Sequence, residues 1–175
     1  MSLLATVPTE SIPVEAVVPL KGPAIVGTPE LKEIADGKYV QVSIPLFYVG
    51  SKDNPDNHVD ASIDVPTLSA AAQQVSDLAS AKANGLSTFF ARWNLRPEWF
   101  TDEFLQSYKS GLVDEKEKIQ YSINVGKLTR HLFKALGSDS IDFDAIAPGS
   151  IVGFKASGTK RDPERLQIQD FYTVK

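Results

Sequence analysis

In GKYVQVSIPLFYVG, residues 37–50, Val40, Val42 and Ile44 alternate with Tyr39, Gln41 and Ser43. A period of two marks a strand with one buried face. The stretch therefore predicts a long strand, and Pro45, which cannot donate to a ladder, predicts that the strand is an edge or bulged at that point. VDASIDV repeats the alternation, with Val59, Ala61, Ile63 and Val65 set against Asp60, Ser62 and Asp64. It predicts a partner strand across the turn-rich SKDNPDNH. Residues 24–34 suit an earlier strand with a turn near residues 27–29.

The period then changes. Leu68, Ala72, Val75 and Ala79 share a helical stripe that predicts a helix from about residue 67 to the Asn84-Gly85 stop. STFFARWNL fits either strand or loop. In RPEWFTDEFLQSYKSG, Pro97 suits a first helical turn, Phe100, Phe104 and Tyr108 share a face, and Gly111 suits the position after the last turn. DEKEKIQY reads as charged and exposed. INVGKLTRHLFKALG is the strongest helix, with an apolar stripe of Val125, Leu128, Leu132 and Leu136 ended by Gly137. After the connector IDFDAIAPG, SIVGFKAS and LQIQDFYTV form a closing hairpin.

The expected order is three strands, a helical segment at residues 66–149, then two strands. Five strands with helix between the third and fourth is the order of an OB fold, a partly open Greek-key barrel. The fold class expected is thus mainly β with a helical insertion, α+β, as a five-stranded OB-type barrel spanning residues 24–175. Residues 1–23, with Pro8, Pro13, Pro19 and Pro23, read as an extended N-terminal arm.

Composition narrows the function classes. The 175 residues carry no cysteine, which excludes disulfides and thiolate metal sites and fits a reducing compartment. No apolar run reaches bilayer length, and the N-terminus lacks the basic and apolar regions of a secretory signal. A cytoplasmic protein without a membrane association is expected. The net charge is −4 but uneven. Residues 1–126 hold 10 basic and 16 acidic side chains, and residues 127–175 hold 8 and 6. A local basic patch, rather than the total, decides affinity for phosphate.

Three groups form such a patch. On the closing hairpin, Lys155, Lys160, Arg161 and Arg165 accompany Phe171, which alternation places on the outer face with Gln167 and Gln169. Single-stranded nucleic acids are held by a positive groove and aromatic platforms, because every nucleotide offers a phosphate and a π-face. Lys127, Arg130 and Lys134 line one helix face. FFARWNLRPEWF interleaves five aromatics with Arg92 and Arg96. Trp93 is expected to be partly exposed there, with Tyr39 as a further base contact. Asp53, Asp56, His58 and Asp60 lack the spacing and terminal Glu of a calcium loop, so no metal is expected. Two distant histidines and the absence of a phosphate loop leave catalysis without support, and no cofactor is expected.

INVGKLTRHLFKALG, IDFDAIAPGSIVGFKAS and LQIQDFYTV together resemble the C-terminal half of phage-encoded single-stranded DNA-binding and recombination-associated OB proteins, over roughly residues 119–175. The resemblance implies an OB barrel, sequence-tolerant binding of single-stranded DNA, no catalysis, and a role in bacteriophage DNA replication or recombination in the host cytoplasm. The chain ends DFYTVK, without the acidic tail that many such proteins use for recruitment. The competing reading is a structural or protein-interaction module, such as a virion component, that uses the N-terminal arm for self-association. A small hydrolase or nuclease is a third reading, with little in the sequence behind it.

Overall fold

The computed structural model describes residues 19–52, 58–60, 62–159, 162 and 165–174. Among these residues six strands form one antiparallel sheet: β1 Leu20–Val26, β2 Glu30–Ile34, β3 Tyr39–Tyr48, β4 Ser87–Leu95, β5 Ile151–Ser157 and β6 Gln167–Tyr172. β4 pairs with β3 from Val40 to Tyr48 along one edge. β2 and the end of β1 share the other edge, with Leu31 opposite Val42 and Val26 opposite Leu46. β1 pairs onward with β5, and β5 with β6. The sheet curls into a half-barrel, so that its borders β4 and β6 face each other. The rings of Trp93 and Phe171 meet across this seam with centroids 5.7 Å apart.

Pro45 lies in a central strand, not at an edge. Its carbonyl accepts from the Gly27 amide at 2.8 Å. In an antiparallel strand the N–H and C=O of one residue point the same way, so the missing donor faces the break between β1 and β2, where the ladder is interrupted. Gly27 permits that approach: a Cβ there would lie 2.6 Å from Pro45 Cγ. The turn from β2 to β3 takes positive φ at Ala35, Asp36 and Gly37.

Among the described residues of VDASIDV, the predicted strand does not form. Val59 makes one isolated bridge to Gly50. Asp60 instead accepts from the Ser62 amide at 3.0 Å and from its hydroxyl, and Asp64 accepts from the Thr67 amide at 2.8 Å to cap α1, Val65–Ala72. Asp and Ser offer the backbone local partners that compete with a ladder. The predicted helix from residue 67 breaks after α1 and restarts as α2, Leu78–Ala83, at a reciprocal cap between Asp77 and Ser80. STFFARWNL supplies the strand instead, as β4. The helical residues therefore form two blocks, one before and one after β4, and not the single segment expected at residues 66–149.

The second block holds α3 Asp102–Lys109, α4 Glu115–Ile123 and α5 Arg130–Ala135, with a π-helical stretch Asn124–Thr129 joining α4 to α5. DEKEKIQY thus belongs mostly to a helix. Gly111 and Gly137 end their helices with φ near +73° and +76°, as their positions predict. Leu20–Pro23, expected in the arm, lies in β1 because Leu20 is buried in the core. Residues 1–18 lie outside the described residues.

Two apolar clusters hold the molecule together. The larger fills the curl: Val42, Ile44, Leu46, Ala91, Trp93, Leu95, Val152, Phe154 and Phe171, capped by Val125, Leu128, Leu132 and Phe133 from the long helix. Each fully buried large side chain contributes about 1.5–3 kcal/mol. The smaller lies outside the curl, where α1, α2 and the link between them press Leu68, Val75 and Ala81 onto Ile25 and Phe47. No helix among the described residues is long and apolar enough to cross a membrane.

Candidate functional site

Alternation sorts β3 and β4 into two faces. Val42, Ile44 and Leu46 on β3, and Ala91, Trp93 and Leu95 on β4, are buried inside the curl. Gln41, Ser43 and Pro45, with Phe90, Arg92 and Asn94, take the outer face. Register aligns Gln41 with Asn94, Ser43 with Arg92 and Pro45 with Phe90. Phe90 is 38% exposed, although it is large and apolar. The Arg92 guanidinium lies 5.1 Å from the Phe90 ring centroid, and its Nε donates to Ser43 Oγ at 3.4 Å.

A cleft of about 440 Å³ opens where this face meets the start of β6. Gln41, Phe90, Arg92 and Asn94 line one wall, and Arg165 and Gln167 the other. A second hollow of about 280 Å³ adjoins it, where Arg92 and Arg165 meet Lys32, Glu30 and Ser43. Two guanidinium groups and one ammonium therefore converge beside one carboxylate, three side-chain amides and an exposed ring. Such a set can neutralise phosphates, hydrogen-bond to base or sugar edges, and stack on a flat aromatic ligand. Among the described residues no three His, Asp or Glu side chains cluster as metal ligands.

The structure divides the residues expected from sequence. Arg92 and Arg165 come together at the cleft. Trp93 reaches the cleft only with the edge of its side chain: it is 5% exposed, and its Nε1 donates to Thr129 Oγ1 at 3.0 Å. Thr129 in turn donates to Asn124 O at 2.6 Å, within the π-helical stretch. Phe171 is 2% exposed. The cause is a bulge: Lys155 pairs with Asp170 but Ala156 pairs with Ile168, so Gln169 is skipped and the alternation reverses. Ile168 and Phe171 both turn inward, contrary to the simple count. Neither Trp93 nor Phe171 is available to stack on a base.

Arg96 is also withdrawn. Its Nη1 lies 2.6 Å from Glu117 Oε1, with Glu98 a further carboxylate neighbour, so its charge is matched within the fold. Tyr39 is half-buried, with Lys38 and Arg96 5.7 and 5.9 Å from its ring. Lys127 and Arg130 are exposed on the long helix but line neither hollow. From that helix it is His131 and Lys134 that face β6, where His131 Nδ1 lies 2.6 Å from Asp170 Oδ1. Lys155 is exposed on β5, between Lys21 and Asp170 on its neighbouring strands. Lys160 and Arg161 lie outside the described residues.

Phe90, Gln41, Ser43, Asn94, Glu30 and Lys32 are the site residues that sequence reasoning missed. The signal was present in STFFARWNL. Once it is read as a strand, Ala91, Trp93 and Leu95 share one face, and Phe90 and Arg92 must take the other. Compared with known proteins, the chain matches no family model, no curated protein and no solved structure.

Proposed function

We propose that this protein binds single-stranded DNA with little sequence preference, along the outer face of β3 and β4 and into the cleft beside β6, and that it acts without catalysis in replication or recombination of the phage type. The observation that carries this reading is the convergence of Arg92 and Arg165, from distant parts of the chain, on the exposed ring of Phe90. Arg92, Arg165 and Lys32 would meet phosphates. Phe90 would stack on a base, with Arg92 shifting from the ring to the backbone. Gln41 and Gln167 offer amides that can donate or accept, which suits contact with any base.

An OB-type barrel is the finer fold reading. If β1 and β2 are the halves of one bent strand, five strands remain: β1–β2, β3, β4, β5 and β6. Their pairings run β4–β3–(β1–β2)–β5–β6, which is the OB order. The last seam, β4 to β6, then carries ring contacts in place of a ladder. In that fold the outer face of the second and third strands is a common ligand surface.

The test is binding of labelled oligo-dT, read by anisotropy at about 50 and 200 mM salt. Affinity should fall steeply between them as phosphate contacts release counterions. Absence of binding at the lower salt would remove the assignment. A protein-interaction role is the alternative, and an apolar groove on the opposite side of β2 favours it.

A further inference from the structure

β2 is a border of the sheet. β3 is its only paired strand among the described residues, because β5 follows the β1–β2 ribbon only from Leu20 to Ile25. Glu30, Leu31, Lys32 and Glu33 are all exposed. From this edge an apolar groove of about 330 Å³ runs inward between Leu31 on β2, Val40 on β3, Leu95 on β4, and Phe100, Ile141 and Phe143. Leu31, Phe100 and Ile141 remain 47%, 50% and 41% exposed. An open edge offers unpaired backbone donors and acceptors, and the groove offers apolar burial. Together they suit an extended apolar segment added as a further strand.

The chain carries such a segment in SIPVEAVVPL, ahead of β1. Ile12, Val14, Ala16 and Val18 recur at a period of two, while Glu15 falls on the other side. In an extended strand the residues that share a face also share a hydrogen-bonding edge. In the strand direction that turns the backbone groups of Ile12, Val14, Ala16 and Val18 toward β2 while their side chains enter the groove, Pro13 and Pro19 fall on the outer edge, where a missing N–H costs nothing.

We propose that residues 12–18 of one copy lie along β2 of a second copy, with their apolar side in this groove. A copy cannot serve itself. Val18 is two residues from Leu20, a reach of at most about 7 Å. β1 from Leu20 to Ile25 already spans about 16 Å at the rise of a strand, and β2 lies beyond its far end. The contact is independent of the nucleic-acid face, since Leu31 projects to the opposite side of β2 from Lys32.

The experiment is sedimentation velocity on the full chain at micromolar concentration, with the fold of each variant followed by circular dichroism. The unaltered protein should sediment at twice the mass of one chain or more. Ile12→Asp with Val14→Asp, on the arm, should yield monomers. So should Leu31→Glu with Ile141→Glu, in the groove. Mixing the two variants should restore a species of two chains, because one keeps its arm and the other its groove. If the groove pair loses its β signature, Leu31→Glu alone replaces it, since that side chain is half in solvent. The proposal is overturned by a monomeric unaltered protein, by a folded variant that keeps the parent mass, or by two folded monomeric variants that stay separate when mixed.

Discussion

β3 runs under two different outer surfaces, and comparing them shows what a helical cover does to a sheet. Its odd-numbered residues all point outward. Gln41 and Ser43 are polar and partly exposed, and Phe47 is 2% exposed beneath α1 and α2. The boundary falls at Pro45, opposite the break between β1 and β2. One half of the outer face thus behaves as core, with Ile25 and Phe47 against Leu68. The other half keeps Arg92 and Phe90 in solvent, where burial gains nothing for the fold. A single exposed ring is ordinary on a protein surface; what sets Phe90 apart is the guanidinium beside it and the cleft it lines.

The sharpest way to test the difference is to truncate one ring inside the curl and its neighbour outside. Trp93→Ala removes a buried indole, its contacts with Phe171 and Phe143, and its bond to Thr129. It should cost about 3–5 kcal/mol in urea denaturation. Phe90→Ala, three residues earlier on the outer face, should shift stability by less than about 1 kcal/mol. Equal losses would erase the distinction between the faces.

Beneath the helical cover, Leu68→Ala should cost about 2–5 kcal/mol, since Leu68 is fully buried. Its effect on oligo-dT affinity should be negligible. A large affinity loss with the fold intact would mean that the covered half also contributes to binding.

On the bare half the signs reverse. Arg92→Glu combined with Arg165→Glu should leave the melting temperature near its parent value and weaken oligo-dT binding at least about tenfold, or 1.4 kcal/mol. It should also flatten the salt dependence. Phe90→Ala should weaken binding by about 1–3 kcal/mol with the salt dependence unchanged, because stacking is not ionic. Unaltered affinity in both would place any DNA site elsewhere.

The smallest effect concerns acid. The Thr67 hydroxyl and amide hold the Asp64 carboxyl below its ordinary value, and the Ser80 amide and hydroxyl do the same for Asp77. A depressed folded-state value means that these caps stabilise α1 and α2 above the unfolded carboxylate range, near about pH 4. The contribution is lost as pH falls through the lower folded-state values. Amide-exchange protection factors in α1 and α2, which correct for the slower intrinsic exchange in acid, should therefore fall below about pH 4, ahead of those in the β3–β4 ladder. Simultaneous loss of both would show that the cover and the sheet open as one unit.

The elements with strong periodicity are legible in the sequence. These are β3, the closing hairpin, and the helices ended by Gly111 and Gly137. Each rests on local chemistry: alternation for the strands, positive φ at glycine for the helix ends. VDASIDV misled because alternation says nothing about a pairing partner, and Asp60 and Asp64 satisfied the backbone locally instead. At the site, Arg92 and Arg165 were legible as charge. Trp93 and Phe171 were misplaced because exposure depends on which face a residue takes.

By itself, the sequence determined the strand-rich class, the helix ends, and the presence of basic and aromatic side chains near β4 and β6. Tertiary structure alone decided which of them meet. The bulge at Gln169 turned Phe171 inward, Glu117 absorbed Arg96, and the curl of the sheet carried Arg165 to Arg92. Such outcomes depend on residues far apart in the chain, and a local pattern holds no information about its distant partners.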